Sequence, residues 1–541
     1  MSKLFERLLE ARGLSKSFLD PKYENLTDPF ILPGMKDAVA RIKTAIKNGE
    51  KILIYGDYDV DGVTASTVME DTLKLAGIPA ENIGIMLPDR FADGYGMSPR
   101  LIKRAEKDKV NLVITVDCGS RNHAIIDELN TLKIDTIVTD HHECGDTLPE
   151  AIAVINPKRK DFVEEKPSLK NLAGVGVAFK LAQALTKEGI MPAGQEKWLL
   201  DLVLIGTICD NMLLTGENRI LGYYGIKVLG KTRRKGLAEI ISRARVKNLT
   251  SESIGFQIGP RLNAAGRLKT ADLALNLLRA NSPVEAATIA EQLEELNQKR
   301  KKEQQSAMKE IIARGVGDEP VIIETGKWHE GVLGIIAGRL VEEYKRPAFV
   351  LAETENNIYK GSGRSFGDFS LAEALDFTKD AIIGGGGHAG AAGVRVDGKN
   401  LYAFRGKINE YYRSLHLTNQ TDYLKQHADL VITNLKELSL DFLDELKLLE
   451  PFGAGNEEPI FRLEDIDIVN TTRMGSDRNH LRLDIRDKKG NNLKLVAFFA
   501  PEAWLSLSTE DRISPLVKIS ENNYNGIKSV EARIVDIDII L

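Results

Sequence analysis

Cysteine, long apolar runs and an excess of positive charge are all scarce in this sequence, and each scarcity excludes something. Cys118, Cys144 and Cys209 are the whole cysteine complement of 541 residues. Three thiols give no disulfide framework and suit a reducing compartment. No apolar stretch approaches the roughly 20 residues needed to cross a bilayer, so no membrane association is expected. The opening "MSKLFERLLEARGLSKSF" is charged throughout, which predicts a cytoplasmic protein without a secretory leader. A net charge of −5 does not announce a nucleic-acid binder. It does not exclude one either, because acidic metal ligands can offset a local basic groove. Internal repeats and low-complexity linkers are absent too. What remains is a chain too long for one core, so about two to four domains are expected.

"MKDAVARIKTAIKN" (Met35–Asn48) spaces its apolar residues for a helix, and "EKILIYGD" then reads as a short buried strand. "VNLVITVD" and "IDTIVTDHH" are further apolar runs that end in charge, with helical stretches at Ser98–Lys107 and Asn122–Leu132 between strands. This alternation predicts a mostly parallel sheet with helices on both faces over the first domain, residues 51–282. Residues 1–50 are expected to pack on it as an N-terminal extension. "DLVLIGTICD" (Asp201–Asp210) fits helix and strand equally. Residues 283–314 lack glycine and internal proline, which predicts a long connecting helix with the charge run Lys299–Lys302 as a solvated face. A second strand–helix–strand pattern predicts a smaller α/β domain over 315–415, followed by linker helices over 416–450. From residue 451 the period changes to two, in "HLRLDIRD", "LKLVAFF" and "SVEARIVDIDII". That predicts a C-terminal antiparallel β barrel over 451–541.

The chemistry concentrates where the apolar runs end. "YGDYDVDG" sets Asp57, Asp59 and Asp61 on alternate residues; Asp117 follows "NLVITV"; Asp140, His141 and His142 follow "DTIVT"; Asp210 ends "LVLIGTIC". An isolated Asp after a strand is ordinarily a turn or a helix cap. Four segments delivering carboxylates and imidazoles to one edge of a parallel sheet exceed that explanation, because ligands gather at the carboxyl ends of such strands. Carboxylates with a few imidazoles suit Mn²⁺ or Mg²⁺. A calcium loop fails, since Thr64–Met69 lacks the closing acid. A thiolate site fails as well, since neighbours along a strand point to opposite faces. The acids suffice for two ions about 3.5–4 Å apart, the arrangement used in hydrolysis of phosphate esters.

These stretches resemble the ordered motifs of the DHH phosphoesterase superfamily: "YGDYDVDGVTAS", "TVDCG", "TDHH" and "GTICD". "LPDRFADGYGMS", "IGPRLNAAGRL", "WHEGVLGIIAGRL", "GSGRSF", "GGHAGAAG" and "EPFGAGNEEPIF" are similar to the RecJ branch of that superfamily, over nearly the whole chain. The resemblance implies a DHH domain, a DHHA1 domain and an OB-like domain. It also implies a 5′-to-3′ single-stranded-DNA exonuclease of DNA repair and recombination that releases 5′-mononucleotides with two divalent cations, Mn²⁺ or Mg²⁺. By the same resemblance Asp57, Asp59, Asp61, Asp117, His141 and Asp210 bind metal, with Asp117 bridging. His142 contacts the scissile phosphate, and Asp140 orients the histidines. Arg90, Tyr95, Arg261, Asn263, Arg267, Arg364, Ser365, Gly387, His388 and Gly390 match positions near the strand and its phosphates. The implied protein is a monomer that works with a single-stranded-DNA-binding protein and a helicase. Two stretches depart from the family's usual text: "GTICDNML", which lacks the Pro after Asp, and "HECGD", where Cys144 replaces a common Pro. The chain ends soon after the β domain, as in the shorter RecJ proteins.

Several bland readings stand beside these. "GGGGHAGAAG" can be an anion-binding nest or a flexible loop, and "PRLNAAGRL" can serve packing between domains. Trp328 and His329 divide evenly between core and groove. "GVGVAFK" (Gly174–Lys180) lacks the third glycine of a dinucleotide fingerprint. Two other functions use the same parts. One is a phosphodiesterase for short oligonucleotides or cyclic dinucleotides, for which the terminal β domain would be redundant. The other is a non-catalytic binding relative, against which the complete ligand set argues.

Overall fold

The computed structural model describes residues 1–541 except 91, 94, 95, 165–167, 418–425, 525 and 541. The chain divides into two compact units, Met1–Asn25 with Lys425–Leu541, and Leu26–Leu424. The first helix, α1 (Lys3–Ala11), belongs to the smaller unit.

In the larger unit, α2 (Met35–Asn48) leads into β1 (Ile52–Tyr55). With β2 (Ile83–Met86), β3 (Leu112–Val116), β4 (Asp135–Thr139) and β5 (Ala153–Ile155) it forms a fully parallel sheet in the order β2-β1-β3-β4-β5. Every residue of β1 and β3 is buried, which is why these strands are continuous apolar runs. The strand order reverses between β1 and β3, and that reversal opens a crevice beyond their carboxyl ends. Three helices reach this crevice: α3 (Val60–Leu75), α4 (Gly174–Lys187) and α5 (Leu200–Cys209). The undecided stretch is therefore helix. Residues 200–207 are all buried, so α5 has no polar face and shows no helical period in the sequence.

A π-helical turn (Ile254–Ile258) precedes α6 (Gly259–Leu268), and α7 (Pro283–Arg314) then runs 32 residues. Ser282 caps α7 by accepting from the Glu285 N–H. The charge run on α7 is not wholly solvated. Lys299 and Lys302 are exposed, but Arg300 is buried and bonds Asn297 Oδ1 at 3.0 Å. Beyond α7 lies a mixed sheet, ordered β6-β7-β8-β10-β9 and covered by α8 (Leu333–Tyr344). Its strands are β6 (Ile322–Gly326), β7 (Ala348–Glu353), β8 (Ile358–Arg364), β9 (Gly384–Gly387) and β10 (Ala391–Asp397). Gly384–Gly387 of the glycine-rich stretch is thus an edge strand paired to β10.

The smaller unit is a seven-stranded sheet in the order β11-β12-β16-β17-β15-β14-β13. The strands are β11 (Leu430–Ile432), β12 (Phe461–Leu463), β13 (Ile466–Met474), β14 (His480–Asp487), β15 (Asn492–Ala497), β16 (Arg512–Tyr524) and β17 (Ile527–Ile540). Most pairs are antiparallel as expected, but β11–β12 and β15–β17 are parallel. Two domain boundaries need correction. Leu4, Phe5, Leu8 and Leu9 of α1 sit in the core of this unit with Phe442, Leu446 and Phe461, so residues 1–25 are not an extension on the first domain. Arg12 also clamps Asp429 through two bonds of 2.6 and 2.9 Å. Part of the expected linker over 416–450 likewise supplies β11 and core residues Phe442, Leu443, Leu446 and Leu449. The four α1 side chains alone represent roughly 6–12 kcal/mol of apolar burial. Among the described residues no helix is long and apolar enough to cross a membrane.

A chain cut after Leu446 would keep α1 with Phe442 and Leu446 but lose Phe461 and the later strands that complete this core. It is expected to bind a hydrophobic dye and aggregate, whereas residues 26–417 alone should melt in one cooperative transition. Equal behaviour of the two truncations in a dye-binding melt would refute the placement of α1.

Candidate metal centre

Four backbone segments converge on the crevice. Asp57 ends the loop from β1, Asp59 is the N-cap of α3, and Asp61 lies in its first turn. Asp59 accepts from the Gly62 N–H at 3.0 Å, which fixes the direction of its carboxylate. A Cβ on Gly62 would stand 2.5 Å from the Asp57 carbonyl oxygen, so only glycine fits. Asp117 follows β3 with φ 61, in the left-handed region that costs an L residue strain. Asp140, His141 and His142 follow β4. Asp210 comes from the C-terminal end of α5, the stretch whose apolar run fitted helix and strand equally.

The ligand atoms form overlapping groups, each within 4.8 Å: Asp57, Asp59 and Asp117; Asp117, His141 and His142; Asp61, His141 and Asp210. Asp117 and His141 each belong to two groups. His141 Nε2 lies 3.1 Å from Asp117 Oδ1, 3.5 Å from Asp210 Oδ2 and 3.8 Å from Asp61 Oδ2. All three partners of the shortest two contacts, His141 Nε2, Asp117 Oδ1 and Asp210 Oδ2, are buried without a hydrogen bond. Buried polar atoms left this way are costly, and hard divalent cations bound among them would remove the cost. The donor set therefore fits such ions.

The electrostatics agree. Burial, and then repulsion from Asp61, Asp59, Asp57 and Asp210, pushes the Asp117 carboxyl well above the ordinary range. Burial and Asp59 raise Asp57 to about 8 and Asp61 to about 7, and burial with Asp61 raises Asp210 to about 8. Burial and the neighbouring His142 lower His141 to about 3, so its imidazole is neutral and available as a ligand. One carboxylate is relieved by the backbone. The first N–H groups of α4, on Gly174 and Val175, donate to Asp61 at 2.6 and 2.9 Å. A Cβ on Gly174 would stand 2.5 Å from Asp117, so the rejected dinucleotide motif is a helix start shaped around the acids. Nothing short of the three-dimensional neighbourhood marks that role.

Asp140 plays a different part. Burial would raise it, but His142 Nδ1–H donates to it at 2.9 Å, and that bond with the neighbouring His142 outweighs burial, holding it well below the carboxylate range. It also accepts the N–H groups of Ser120, His141 and His142 at 2.9, 2.7 and 3.1 Å. Burial opposes charge on His142, but the bond to Asp140 and its carboxylate charge raise the His142 pKa. Asn156 braces the same turn through the His142 carbonyl and the Ser120 hydroxyl. Ser120 and Asn156 carried no signal in the sequence.

A cleft of about 1090 Å³ spreads from these groups to β8, β9 and β10. Asp57, Asp59, Arg90, His142, Asn263, Arg267, Arg364, Gly387 and His388 line it, as expected. Arg90 stands 5.1 Å over the Tyr58 ring. Burial, with repulsion from Arg90, Arg300 and Arg364, lowers Arg267 to about 9, a value that records cations packed together. A Cβ on Gly387 would lie 2.3 Å from the Ala391 carbonyl oxygen. Other expectations fall outside the cleft. Arg261 turns to Glu294 at 2.6 Å and the Gln257 carbonyl, a packing role. Ser365 bonds the Phe369 carbonyl, and its N–H donates to Gly390 at 3.0 Å, so both residues brace a loop. Trp328 donates to Glu310 at 2.9 Å on α7. Tyr95 lies outside the described residues.

An acid whose folded pKa exceeds its unfolded value keeps a proton that the unfolded chain has released, so stability falls as pH rises through that window. The metal-free protein should therefore melt at lower temperature as pH rises from about 4 to about 8, the span over which Asp57 and Asp210 titrate. Mn²⁺ should raise the melting temperature more at the alkaline end, where it competes with fewer protons. A Mn²⁺ effect independent of pH in a thermal-shift series would contradict this account.

Residues 51–207 match the DHH family, N-terminal domain; 318–414 match the DHHA1 domain; and 429–536 match the RecJ OB domain. The chain is 35% identical over 545 residues to the single-stranded-DNA-specific exonuclease RecJ of Bacillus subtilis, covering 99% of this chain and 67% of that protein. It is 34% identical to the protein of the same name from Haemophilus influenzae, covering 98% and 95%. The crystal structure of RecJ with Mn²⁺ from Thermus thermophilus superposes with a TM-score of 0.84 at 29% identity, over 99% of this chain and 75% of that one. With its metal-ligand geometry, its cleft and these relatives, the chain belongs to the RecJ family of the DHH superfamily.

Proposed function

We propose that this protein hydrolyses single-stranded DNA from the 5′ end, releasing 5′-mononucleotides, with two divalent cations, Mn²⁺ or Mg²⁺. One observation carries the reading: an acid cluster that shares Asp117 and His141 between ligand groups faces a cleft lined by Arg90, Arg267 and Arg364, which form no ion pair among the described residues. When bound, the cations supply charge that polarises the scissile phosphate and makes water a competent nucleophile.

The chain's own groups do the rest. Asp140 holds His142 by Nδ1 and raises its pKa, so that its Nε2–H would donate to a phosphate oxygen as negative charge develops. Arg267 and Arg364 converge with Arg90 to receive phosphate, and their forked donors set the strand's register. The α4 N-terminus holds Asp61 in place whether or not a cation is present. His388 and β9 close the opposite wall. DNA repair and recombination, the cytoplasm, a monomeric state, and work alongside a single-stranded-DNA-binding protein and a helicase complete the proposal. The three free thiols support a reducing compartment. One observation favours a second reading, a phosphodiesterase for short oligonucleotides: the whole cleft lies within the larger unit.

Strands labelled at either end separate these readings and give the polarity. Label at the 5′ end should leave first as mononucleotide, and only with Mn²⁺ or Mg²⁺ present. Residues 26–417 alone should cleave a dinucleotide nearly as fast as the full chain and long strands far more slowly; equal losses on both would favour the short-substrate reading. Asp117→Ala should cut hydrolysis by roughly 100-fold or more without lowering the metal-free melting temperature, since it removes a repelling charge. Arg364→Ala and Arg267→Ala should each weaken strand binding and reduce its salt slope by about one. Unchanged slopes in both would assign the two arginines to packing.

A further inference from the structure

A second cavity, of about 670 Å³, lies wholly within the larger unit and shares no lining residue with the cleft. The C-terminal half of α3 contributes Glu70, Asp71 and Lys74 to its wall, and the first turn of α5 contributes Asp201. Each helix also serves the metal centre nine residues away, α3 through Asp61 and α5 through Asp210. Nine residues of helix span about 14 Å, so the cavity stands apart from the metal centre on the same two supports.

Opposite these acids lies the run Arg233, Arg234 and Lys235, which opens the helix Lys235–Arg243. The positive end of a helix disfavours cations, and this first turn has neither an acid nor a side-chain cap. Arg234 is committed to Asp71 at 2.7 Å and Asp201 at 3.5 Å. Arg233 and Lys235 are exposed and form no ion pair among the described residues. Arg233 instead lays its guanidinium over the Trp198 ring, 3.5 Å from the ring centre. A Cβ on Gly236 would stand 1.9 Å from the Leu277 carbonyl oxygen, so the turn packs backbone to backbone and holds its cations in place. An anion would relieve this arrangement. Glu70 has the opposite need. Its Oε1 meets the Lys74 ammonium and the Arg279 guanidinium, each at 2.9 Å, while its Oε2 is buried without a hydrogen bond. A buried acceptor left this way is costly, and a ligand O–H or N–H would satisfy it.

We propose that this cavity is a nucleotide site distinct from the cleft: it takes a nucleoside phosphate, with the base stacked on Arg233 over Trp198, the phosphate at Lys235 and the helix start, and a hydroxyl or amino donor toward Glu70. Three features select this class over a bare anion. The volume falls among small-molecule sites, which run from about 300 to 1,000 Å³. A guanidinium plane stacks bases. The unsatisfied acceptor requires a donor, which phosphate alone does not carry at neutral charge balance but a sugar or base does. Two sources share this chemistry: the 5′-mononucleotide that the cleft releases on the reading above, and a ribonucleotide of the cell. Only the first source rests on that reading.

The test titrates the full chain in EDTA, where nothing is hydrolysed, with deoxyadenosine 5′-monophosphate, ATP and inorganic phosphate. Calorimetry and tryptophan fluorescence report binding. At least one nucleotide should bind saturably and change the fluorescence, and Trp198→Phe should abolish that change while calorimetric binding persists. Arg233→Ala with Lys235→Ala should weaken binding about 10-fold or more at an unchanged melting temperature. Arg364→Ala, in the cleft, should leave the fluorescence change intact. Binding of the deoxynucleotide alone would identify the reaction product as ligand, and binding of ATP alone a cellular ribonucleotide. The proposal is overturned if neither nucleotide saturates by about 1 mM, or if phosphate binds as tightly as both. It is also overturned if the signal survives in the double variant and is lost with Arg364→Ala. Because no cleavage is measured, failure here leaves the reading of the cleft standing, and a chain that fails to cleave still tests this site.

Discussion

Mutual repulsion among five carboxylates is the constraint around which the larger unit is built. Asp57, Asp59, Asp61, Asp117 and Asp210 would separate if any of them sat on a yielding loop. Instead each is anchored at the end of a buried element: β1, the first turn of α3, β3 or the end of α5. The sheet beneath is apolar on both faces and cannot adjust. Asp117 accepts a strained backbone, and Asp61 is met by the first turn of α4. The scaffold thus stores an unfavourable charge arrangement until cations or protons relieve it. In the same cleft Arg90, Arg267 and Arg364 crowd one another and form no ion pair among the described residues.

How much of this was legible follows from burial. α2 and α7 were readable because their composition and period are unambiguous, and both run over the spans their residues suggested. The metal ligands were readable because each follows an apolar run, and an apolar run ending in charge marks the rim of a parallel sheet. α5 was not, because a helix buried on all sides keeps no polar face to reveal its period. The role of Gly174 was hidden for a related reason: its neighbours, Asp61 and Asp117, are 113 and 57 positions away in the chain. Arg261 and Arg267 sit in one motif on one helix, yet one turns to Glu294 and the other to the cleft. A six-residue separation places them on different faces, and no local pattern says which face the substrate takes. The edge strand Gly384–Gly387 was not legible in the glycine run, since its lack of side chains leaves no period to read.

The placement of α1 changes how domain boundaries are understood in this chain. Its amphipathic face needs a partner, and the nearest candidates in sequence lie in the parallel-sheet domain. The partners it takes are Phe442, Leu446 and Phe461. Sequence position is a poor guide here because apolar burial has no preference for proximity along the chain, and loop closure costs only about 0.6 kcal/mol for each doubling of length.

That placement has a consequence for synthesis. The amide of Ser2 bonds Glu445, 443 positions later, so residues made before the larger unit belong to a unit completed only after it. Throughout translation of the larger unit, α1 must carry Leu4, Phe5, Leu8 and Leu9 without their core. A nascent chain with such a helix is a natural client for chaperones that bind short apolar segments. The smaller unit, by contrast, cannot close until the segments on both sides of the larger unit have emerged.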